Sequence, residues 1–519
     1  MKPTPTPKTP CKPSKSEWTP PLQPAGVTQK PKQPQHWKPH AYQKKAAKFL
    51  LERGAAALFL DPGLGKTSIT YAVLKVLKSA NQMRGCLVIA PLRVCKLVWP
   101  AEVNKWEDFK GMSVGVLWGD KKQKVLEEDH DVYVINHAGL PWLFERTKKK
   151  KDGTMGKTWN HNLTPAGKLL LTKVNILVLD ELSKFKHTDT NRFKSIKPWL
   201  GKFDRRYGLT GSPAANGLMD LFGQCYVLDG GRSLGPFVTY YRDQYFSPVD
   251  KEAFTYRLKP GAEELIYERI KPLALSMTAE DHLEMPTLRH YPIKFDLPKE
   301  VRPYYDEIEE DYVTLIQKDL LTTPNAAASK SMLRQMCSGA VYKAQMDAIT
   351  GLKKAGPREW VHLHDEKLDM MEELIDELQG AQLIVAYEFK HDLERILARW
   401  PKLPYFGKSE KEDARIERMW NSGELPVVLA QPQGVGHGLN LQGSNAHNVL
   451  WFTLTWDYEL FDQLNRRLLR QGNEAQYVNC YSFVGRNTVE ESVAYMLKGK
   501  KRGQDSLTDA LKRRRRVDD

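Results

Sequence analysis

A short apolar run that leads into a glycine-rich loop restricts the fold of this chain more than any other feature. The run Ala55–Leu60 is followed by Asp61-Pro62-Gly63-Leu64-Gly65-Lys66-Thr67-Ser68 and then by a helical pattern over Ile69–Ala80. In that order, the loop amides and the unpaired donors of the helix N-terminus bind phosphate oxygens, and the lysine adds a positive charge. The Thr67 hydroxyl is placed to ligate Mg²⁺. The sequence therefore predicts a phosphate-binding loop, although Leu60 stands where the strict pattern has its first glycine.

The same alternation of apolar runs and helical patterns occurs in two stretches of the chain. The first stretch contains Ala55–Leu60, Cys86–Ala90, Val132–Asn136, Ile176–Leu179 and Tyr207–Leu209, and the second contains Leu383–Tyr387, Val427–Ala430, Val449–Phe452 and Tyr477–Phe483. Runs of this kind are typical of buried parallel strands, and parallel strands joined by crossover helices form α/β domains. We therefore predict an α/β fold with two parallel-sheet lobes in tandem.

The segments outside these two stretches differ in composition. Residues 1–36 are rich in proline and lysine and hold few apolar residues, which predicts an extended, solvated tail. Apolar residues at helical spacing after Pro298 predict helical connecting material. The predicted divisions are a tail at 1–36, a first lobe at 37–280, a helical linker or insertion at 281–355, a second lobe at 356–497 and a basic tail at 498–519.

Charge and cysteine content restrict the class of protein. With 78 Lys and Arg against 63 Asp and Glu, the formal net charge is +15, so a polyanion is a reasonable partner. No apolar run approaches the length of a membrane span, and we expect no membrane association. The six cysteines lie far apart without a Cys-x-x-Cys pair, which fits a reducing cytoplasm. The basic clusters at 146–157 and 512–516 fit equally well a surface loop or solubilising tail and a contact to a polyanion.

A pair of acids completes the phosphate site. The apolar run Ile176–Leu179 ends in Asp180-Glu181. An aspartate at the carboxyl end of a strand next to a phosphate loop is suited to the shell of a Mg²⁺ ion, and the following glutamate is suited to orient and deprotonate a water molecule.

With these motifs in this order, the chain resembles helicase superfamily 2, in its Swi/Snf-like branch of DNA translocases, and is similar to the compact versions encoded by bacteriophages and mobile elements. The resemblance covers about residues 37–497. Pro39-His40-Ala41-Tyr42-Gln43 resembles the element whose glutamine recognises adenine. Ile89-Ala90-Pro91-Leu92-Arg93-Val94 resembles the first motif that contacts nucleic acid, and Leu209-Thr210-Gly211-Ser212-Pro213 resembles the motif that couples the ATP state to the track.

The second lobe is similar to the family as well. Gln433–Gln442 resembles the glycine-rich fifth motif, and Gln463–Gly472 resembles the last motif, whose two arginines, Arg467 and Arg470 here, reach the γ-phosphate. Three residues depart from the family pattern: Leu182 and Ser183 replace the Ala and His of the Asp-Glu-Ala-His element, and Arg466 stands where an acid or glycine is common.

The resemblance implies two RecA-like lobes with ATP and Mg²⁺ in the cleft between them, and a monomer acting on DNA, expected to be double-stranded, in the cytoplasm (of the host cell if the gene is carried by a phage). It implies Lys66, Glu181, Arg467 and Arg470 as catalytic residues and Thr67 and Asp180 at the metal. The implied nucleotide-binding residues are Gln43, Gly63, Leu64, Gly65, Lys66, Thr67, Ser68 and Gly438. The implied DNA-binding residues are Pro91, Leu92, Arg93, Lys184, Lys186, Thr210, Gly436 and Asn440.

Three other functions use the same loops. One is an ATP-gated DNA clamp or loading factor that closes without moving. Another is the motor part of a restriction or packaging system, for which the segments around the two lobes are too short and basic to supply a nuclease. The third is an RNA helicase, which the resemblance of the Asp-Glu-Leu-Ser and Gln-Leu-Asn-Arg-Arg motifs to the DNA branch disfavours.

Overall fold

The structure, a computed structural model, describes residues 35–149, 155–215, 217–248, 256–283, 285–317, 324–343, 359–435, 439–444, 446–470, 473 and 475–500. The predictions for the proline-rich tail and for nearly all of the basic C-terminal tail lie outside these residues. Within the described chain, no helix is long and apolar enough to cross a membrane.

In the part of the chain that the structure describes, eighteen strands are distributed over two large parallel sheets and three small two-stranded ones. In chain order they are β1 (Ala55–Leu60), β2 (Cys86–Ala90), β3 (Val114–Val116), β4 (Val132–Asn136), β5 (Phe144–Lys149), β6 (Met155–Leu163), β7 (Ile176–Asp180), β8 (Arg205–Thr210), β9 (Phe246–Pro248), β10 (Tyr256–Leu258), β11 (Ala274–Met277), β12 (Thr287–Phe295), β13 (Ala340–Tyr342), β14 (Trp360–His362), β15 (Leu383–Ala386), β16 (Val427–Ala430), β17 (Asn448–Trp451) and β18 (Tyr477–Gly485).

Helices connect the strands and cover the sheets. They are α1 (Ala41–Leu51), α2 (Lys66–Ser79), α3 (Trp99–Lys105), α4 (Lys122–Glu127), α5 (Leu140–Leu143), α6 (Pro165–Lys173), α7 (Asn191–Ile196), α8 (Leu221–Asp229), α9 (Val238–Tyr245), α10 (Ala262–Ile270), α11 (Arg302–Gln317), α12 (Pro324–Ser338), α13 (Glu366–Glu377), α14 (Lys390–Arg399), α15 (Glu410–Asn421), α16 (Pro432–Val435) and α17 (Tyr458–Asn465). Residues 489–500 are also helical, so this last helix extends past the predicted limit of the second lobe.

The first large sheet has the order β11-β1-β8-β7-β2-β4-β3, and every neighbouring pair is parallel. Side chains of β1 alternate between two cores, with Ala57 and Phe59 on one face and Leu58 and Leu60 on the other. Because β8 lies between β1 and β7, the segments that follow these three strands meet at one edge of the sheet. The phosphate loop, the Asp180-Glu181 pair and Thr210 are therefore neighbours.

The second large sheet has the order β12-β18-β17-β15-β16 and is also parallel throughout. Its two faces carry separate apolar cores, as the faces of the first sheet do. The predicted α/β fold with two tandem parallel-sheet lobes is thus confirmed.

The start of the segment 281–355 was expected to be helical, and this is wrong for β12, which pairs with β18 along its whole length. The strand lies at the edge of the sheet and most of its side chains are exposed or half-buried, so it lacks the apolar run that marks a central strand. The helical prediction holds further along, where α11 and α12 follow.

The basic cluster at 146–157 was expected to be a surface loop. Instead, the backbone on either side of residues 150–154 forms the antiparallel pair β5 and β6. These two strands consist almost entirely of polar and charged residues. They therefore show neither an apolar run nor the alternation of apolar and polar residues that predicts a strand.

Candidate active site

Two glycines shape the loop between β1 and α2. Gly63 and Gly65 have φ angles of +93° and +78°, in the left-handed region that side chains disfavour. A Cβ atom on Gly65 would also lie 2.6 Å from Nε2 of Gln43. Gly65 is the N-cap residue of α2, which begins at Lys66, so the loop turns tightly onto a helix N-terminus. This is the geometry expected of a phosphate cradle.

Gln43 is hydrogen-bonded to the backbone of that loop. Its Nε2 donates a hydrogen bond to the Leu64 carbonyl at 3.2 Å, and its Oε1 accepts one from the His40 amide at 3.0 Å. The neighbouring Tyr42 ring stacks on His282 with a centroid distance of 4.8 Å. The glutamine implied for adenine recognition is thus held beside the loop by the backbone.

The Lys66 ammonium lies inside the loop. Its Nζ donates to the carbonyls of Leu60 at 2.7 Å and Asp61 at 3.3 Å. Burial lowers the pKa of Lys66, while the carboxylates of Glu181 and Asp180 act in the opposite direction. These two acids favour the positively charged form of Lys66 at the position where phosphate oxygens would lie.

The Ser68 hydroxyl, implied for nucleotide binding, points away from the cradle towards α3. It donates to a carboxylate oxygen of Glu102, and the same oxygen accepts a hydrogen bond from Trp106 Nε1 at 2.7 Å. In this arrangement Ser68 helps to fix α2 against α3.

Asp180 ends β7 and is oriented by a tryptophan. Trp99 is fully buried, and its Nε1 donates to Asp180 Oδ2 at 2.9 Å. Burial raises the pKa of Asp180, and the Trp99 hydrogen bond and the Lys66 charge oppose that rise. The sequence did not reveal this contact between Trp99 and the predicted metal ligand.

Glu181 occupies an unusual backbone conformation. Its φ and ψ are both 60°, in the left-handed region where a non-glycine residue is uncommon and where functional sites concentrate. Burial, followed by the charges of Glu459 and Asp180, raises the pKa of Glu181 to about 7. Its Oε1 accepts hydrogen bonds from Ser183 Oγ at 3.2 Å and from Gln463 Nε2 at 3.3 Å.

Glu459 and Gln463 belong to α17 of the second lobe and bring that lobe to the predicted base. Glu459 Oε1 accepts hydrogen bonds from Ser183 Oγ at 2.8 Å and from Gln463 Nε2 at 3.2 Å. Ser183, which stands where the family has a histidine, is therefore one of the residues that join the two lobes. Glu459 was not singled out in the sequence, where it looks like an ordinary helix-surface acid.

The residues present fit a Mg²⁺ ion that is shared with a nucleotide. Thr67 follows the loop lysine, and Asp180 lies at the end of β7, two strands from β1. The described residues contain no group of three or more His, Cys, Asp or Glu able to hold a metal ion by themselves. A site with one carboxylate and one hydroxyl is the usual kind for Mg²⁺, which retains waters and takes phosphate oxygens as further ligands.

The two arginines of the last motif lie on the second-lobe side, where Arg467 is buried and Arg470 is half-buried. Arg467 Nη1 donates to the Leu439 carbonyl at 3.0 Å, and Arg470 Nη1 donates to Asn440 Oδ1 at 2.6 Å. Burial, and then the Arg470 charge, lower the pKa of Arg467 to about 9. Burial lowers the pKa of Arg470 to about 10, against the charge of Glu417. Two cations held in a poorly solvated cleft are suited to bind an anion strongly.

Arg466, a departure from the family pattern, reaches the phosphate loop itself. Its guanidinium lies 2.9 Å from Asp61 and 2.7 Å from Asp462. Burial alone would lower the pKa of Arg466, but the carboxylates of Asp462 and Asp61 outweigh it and raise the pKa above its usual value.

The charged residues implied for DNA binding form ion pairs with acids of the second lobe. Arg93 forms ion pairs with Asp413 and Glu417 of α15, at 3.0 and 3.5 Å. Lys184 and Lys186 each lie 3.5 Å from a carboxylate oxygen of Glu459.

The remaining residues of that set are placed as follows. Thr210 is buried, and its Oγ1 accepts a hydrogen bond from the Ser212 amide at 3.3 Å. Pro91 and Leu92 are half-buried. Asn440 is tied to Arg470, as described above. Gly436 lies outside the described residues, as does Gly438 of the nucleotide-binding set.

A cavity of about 850 Å³ adjoins this cluster. Asp61 and Arg466 are among its lining residues, and most of the others belong to β12, β18, α17 and the helix at 489–500. Lys66, Thr67, Asp180 and Glu181 are not among its lining residues, so the cavity lies beside the predicted chemistry rather than at it.

Comparison with known proteins places the chain in a family. Residues 42–341, more than half of the chain, match the model of the SNF2-related domain. The phage protein p41 of Acyrthosiphon pisum secondary endosymbiont phage 1 is 30% identical over 92% of this chain and 99% of its own length.

Two further relatives are more distant. The CHD3-type chromatin-remodeling factor PICKLE of Arabidopsis thaliana is 23% identical over 89% of this chain, which spans 34% of PICKLE. The structure of the SWI2/SNF2 ATPase core of Sulfolobus solfataricus in complex with dsDNA is 22% identical to this chain. The match covers 91% of this chain and 93% of the Sulfolobus chain, with a TM-score of 0.40. Because residues 42–341 match this family model, and because p41 is similar over nearly the whole chain, the chain belongs to the SNF2-related domain family.

Proposed function

We propose that this protein is an ATP-dependent DNA translocase, in which ATP hydrolysis between the lobes drives movement along duplex DNA. The observation that carries the proposal is the contact of Gln463 from the second lobe with Glu181, at 3.3 Å from its carboxylate. The predicted base on one lobe and the motif with the arginine pair on the other thereby meet at one point. Catalysis that needs both lobes makes turnover depend on how they are arranged, as a motor requires.

The residues divide into binding and chemical roles. The loop from Gly63 to Ser68, with Lys66, would bind the phosphates, and Gln43 the adenine. Thr67 and Asp180 would hold Mg²⁺, which neutralises phosphate charge when bound.

Hydrolysis then relies on Glu181 and the two arginines. A carboxylate with a pKa near 7 is a suitable acceptor for the proton of an attacking water. Arg467 and Arg470 would stabilise the charge that develops on the transferred phosphoryl group.

The proposal of a DNA track rests on charge and on the relatives. The net charge of +15 and the cations Arg93, Lys184 and Lys186 favour a polyanion, and contacts to phosphates suit a motor that steps without regard to sequence. One relative is named a chromatin-remodeling factor, and because chromatin contains DNA, this likeness favours DNA over RNA.

ATP turnover measured with duplex DNA, single-stranded DNA, RNA and no nucleic acid tests this function. We expect stimulation by duplex DNA above all others. Stimulation by RNA alone would replace the proposal with an RNA helicase, and tight ATP-dependent DNA binding without stimulated turnover would favour the clamp or loading factor. DNA cleavage in the same reactions would favour a restriction or packaging motor.

Movement without strand separation is tested with two substrates offered in parallel with ATP. A duplex carrying a third strand reports translocation, and a forked duplex reports unwinding. Displacement of the third strand with the fork left intact supports the proposal. Efficient fork opening without displacement of the third strand contradicts the proposed track.

A further inference from the structure

An acidic face of one second-lobe helix lies against the first-lobe motif implied for nucleic-acid contact. Glu410, Asp413 and Glu417 are spaced by three and four residues, which places them on one side of α15. Across the cleft, Lys96 lies 2.7 Å from Glu410, and Arg93 binds the other two acids. Three carboxylates therefore pair with two cations that lie at or next to the motif implied for nucleic-acid contact.

Glu417 differs from the other two acids because it also reaches the second lobe's arginine pair. Its Oε1 accepts a hydrogen bond from the Asn440 amide at 2.9 Å, while its Oε2 faces Arg93 at 3.5 Å. Asn440 in turn accepts from Arg470 at 2.6 Å through its side-chain oxygen. A continuous chain of contacts thus runs from Arg93 through Glu417 and Asn440 to Arg470.

Asp413 and Glu410 have no comparable link among their described contacts. Asp413 shares its carboxylate between Arg93 and the Gly407 amide at 2.8 Å, which stays within the turn before α15. Glu410 pairs with Lys96 while itself largely exposed, and such pairs contribute little. Glu417 is therefore the acid that contacts both Arg93 of the first lobe and, through Asn440, Arg470 of the second lobe.

We propose that Glu417 is a positioning residue that joins the two sites: it competes with nucleic-acid phosphate for Arg93 and, through Asn440, holds Arg470 in place for hydrolysis. The proposal rests on the proposed function. Binding of DNA phosphate to Arg93 would release one oxygen of Glu417 while the other stays on the Asn440 amide. DNA binding at Arg93 is thereby connected to Arg470 through one ion pair, Arg93 with Glu417, and two hydrogen bonds, Glu417 with Asn440 and Asn440 with Arg470.

Two substitutions separate the two roles. Glu417→Gln removes the charge that attracts Arg93 but keeps an oxygen that accepts from Asn440, whereas Glu417→Ala removes both. Affinity for a fluorescently labelled mixed-sequence duplex should rise about fivefold in both variants, because a competing ion pair is lost. Turnover without DNA should fall about tenfold in Glu417→Ala, since Arg470 loses its support, and distinctly less in Glu417→Gln.

A double-mutant cycle with Arg93→Ala is the decisive test. In the Arg93→Ala background the gain in DNA affinity from Glu417→Gln should vanish, because the cation that it competes for is gone, while the difference in turnover between the Gln and Ala variants should persist. Glu412→Gln is the matched control: it removes the same charge from the same helix at a residue that pairs only with Arg415 among its described ion pairs. We expect it to change neither quantity.

Several results would overturn the inference: unchanged DNA affinity in Glu417→Gln, a gain that survives in the Arg93→Ala background, or equal turnover in the Gln and Ala variants. Because Glu417→Gln keeps the size of the side chain and an acceptor for the Asn440 amide, the affinity measurement stands even if Glu417→Ala folds poorly. A wild-type protein that neither binds duplex DNA nor hydrolyses ATP would contradict the proposed function instead.

Discussion

Arg466 of the last motif and Asp61 of the phosphate loop form an ion pair across the cleft, with Nη1 2.9 Å from Oδ2. Asp61 also accepts a hydrogen bond from the Ala279 amide, and Arg466 is held on its other side by Asp462. Ser212 of the first lobe adds a hydrogen bond to Asp462 at 3.2 Å. The two lobes are therefore joined at the edge of the loop by the protein's own charges.

Arg466→Met should open the lobes. It leaves two partly buried carboxylates without their shared cation, which costs about 1–3 kcal/mol in the closed arrangement. Energy transfer between dyes on the two lobes should report a smaller closed fraction. Arg415→Met, which removes an arginine paired with Glu412 on the exposed side of α15, is the control, and equal closed fractions in the two variants would refute the role of Arg466.

Glu181→Gln should abolish most turnover while leaving nucleotide binding intact. The substitution keeps the size of the side chain but removes the proton acceptor, so the turnover number should fall about a hundredfold or more. Glu459→Gln is a suitable comparison, because it makes the same change in a buried neighbour that contacts Ser183 rather than the attacking water. We expect a much smaller loss there. Comparable losses in the two variants, or normal turnover in Glu181→Gln, would remove Glu181 from the base role.

Trp99→Phe should weaken the response to Mg²⁺. Phenylalanine fills most of the same buried space but cannot donate to Asp180, so that carboxylate loses its orientation and one charge-assisted hydrogen bond. The Mg²⁺ concentration for half-maximal turnover should rise about tenfold.

Trp451→Phe is the matched control for that prediction. Trp451 is equally buried, and its Nε1 donates to Asn465 in the second lobe, away from Asp180. A similar shift in both variants would indicate a general loss of packing rather than an effect on the metal site.

The sequence predicted the central strands and the buried edge strand β16, but not the edge strands β3, β11 and β12. Strands β1, β2 and β7 are buried on both faces and therefore read as continuous apolar runs. The short β3 and the exposed edge strand β12 bury too little of their surface to leave such a pattern.

Motif order predicted that the phosphate loop and the acid pair lie together in the first lobe, although the Ser68 hydroxyl points away from the cradle, and it did not predict the contacts across the cleft. Motif order identifies the loop lysine and the acid pair because the chemistry is local to one strand and the turn after it. Contacts such as Glu459 with Ser183 join residues 276 positions apart, and in the sequence a glutamate on an amphipathic helix looks like a solvated charge. Such contacts depend on how the lobes meet, which no local pattern encodes.

Stability of the second lobe should depend on pH through His364. This buried ring bonds the Met336 carbonyl through Nε2 at 2.8 Å, so Nε2 carries the proton of the neutral form. Burial lowers the pKa of His364 to about 4; the charges of Arg395 and Lys367 lower it further, while the Met336 carbonyl and Asp365 oppose them. The unfolded chain takes up this proton near the ordinary histidine pKa of about 6.5, well above the folded value.

The free energy of unfolding should therefore be fully retained above about pH 6.5 and fall as the pH drops from there towards 4, by about 2 kcal/mol at pH 5. His364→Gln keeps a donor for the Met336 carbonyl but does not titrate. Urea unfolding at neutral and mildly acidic pH should show a smaller loss for this variant than for the wild type. Equal losses would show that His364 does not contribute to the acid sensitivity.

A second buried charge pair ties α13 to the last helix. Lys367 Nζ lies 2.6 Å from Glu490 Oε1 and donates to the Phe452 carbonyl at 2.9 Å, and the side chains are 0% and 1% exposed. Glu490 uses its other oxygen to accept from the Gly485 amide at 2.9 Å. Both charges are thus satisfied, which is the condition under which a buried pair is tolerated.

Lys367→Met should lower the free energy of unfolding by about 3–5 kcal/mol, because it leaves the Glu490 carboxylate buried without a cation. Adding Glu490→Gln removes that charge, so the double variant should be more stable than Lys367→Met alone even though it contains one more substitution. Lys343→Met, which breaks a pair with Glu359 whose side chains are 55% and 76% exposed, should change stability by about 0.5 kcal/mol or less. Urea unfolding of the four proteins measures these differences. If the double variant is no more stable than Lys367→Met, desolvation of an unpaired Glu490 is not the source of the loss, and the lysine would then stabilise the lobe through the packing of its stem and its bond to Phe452.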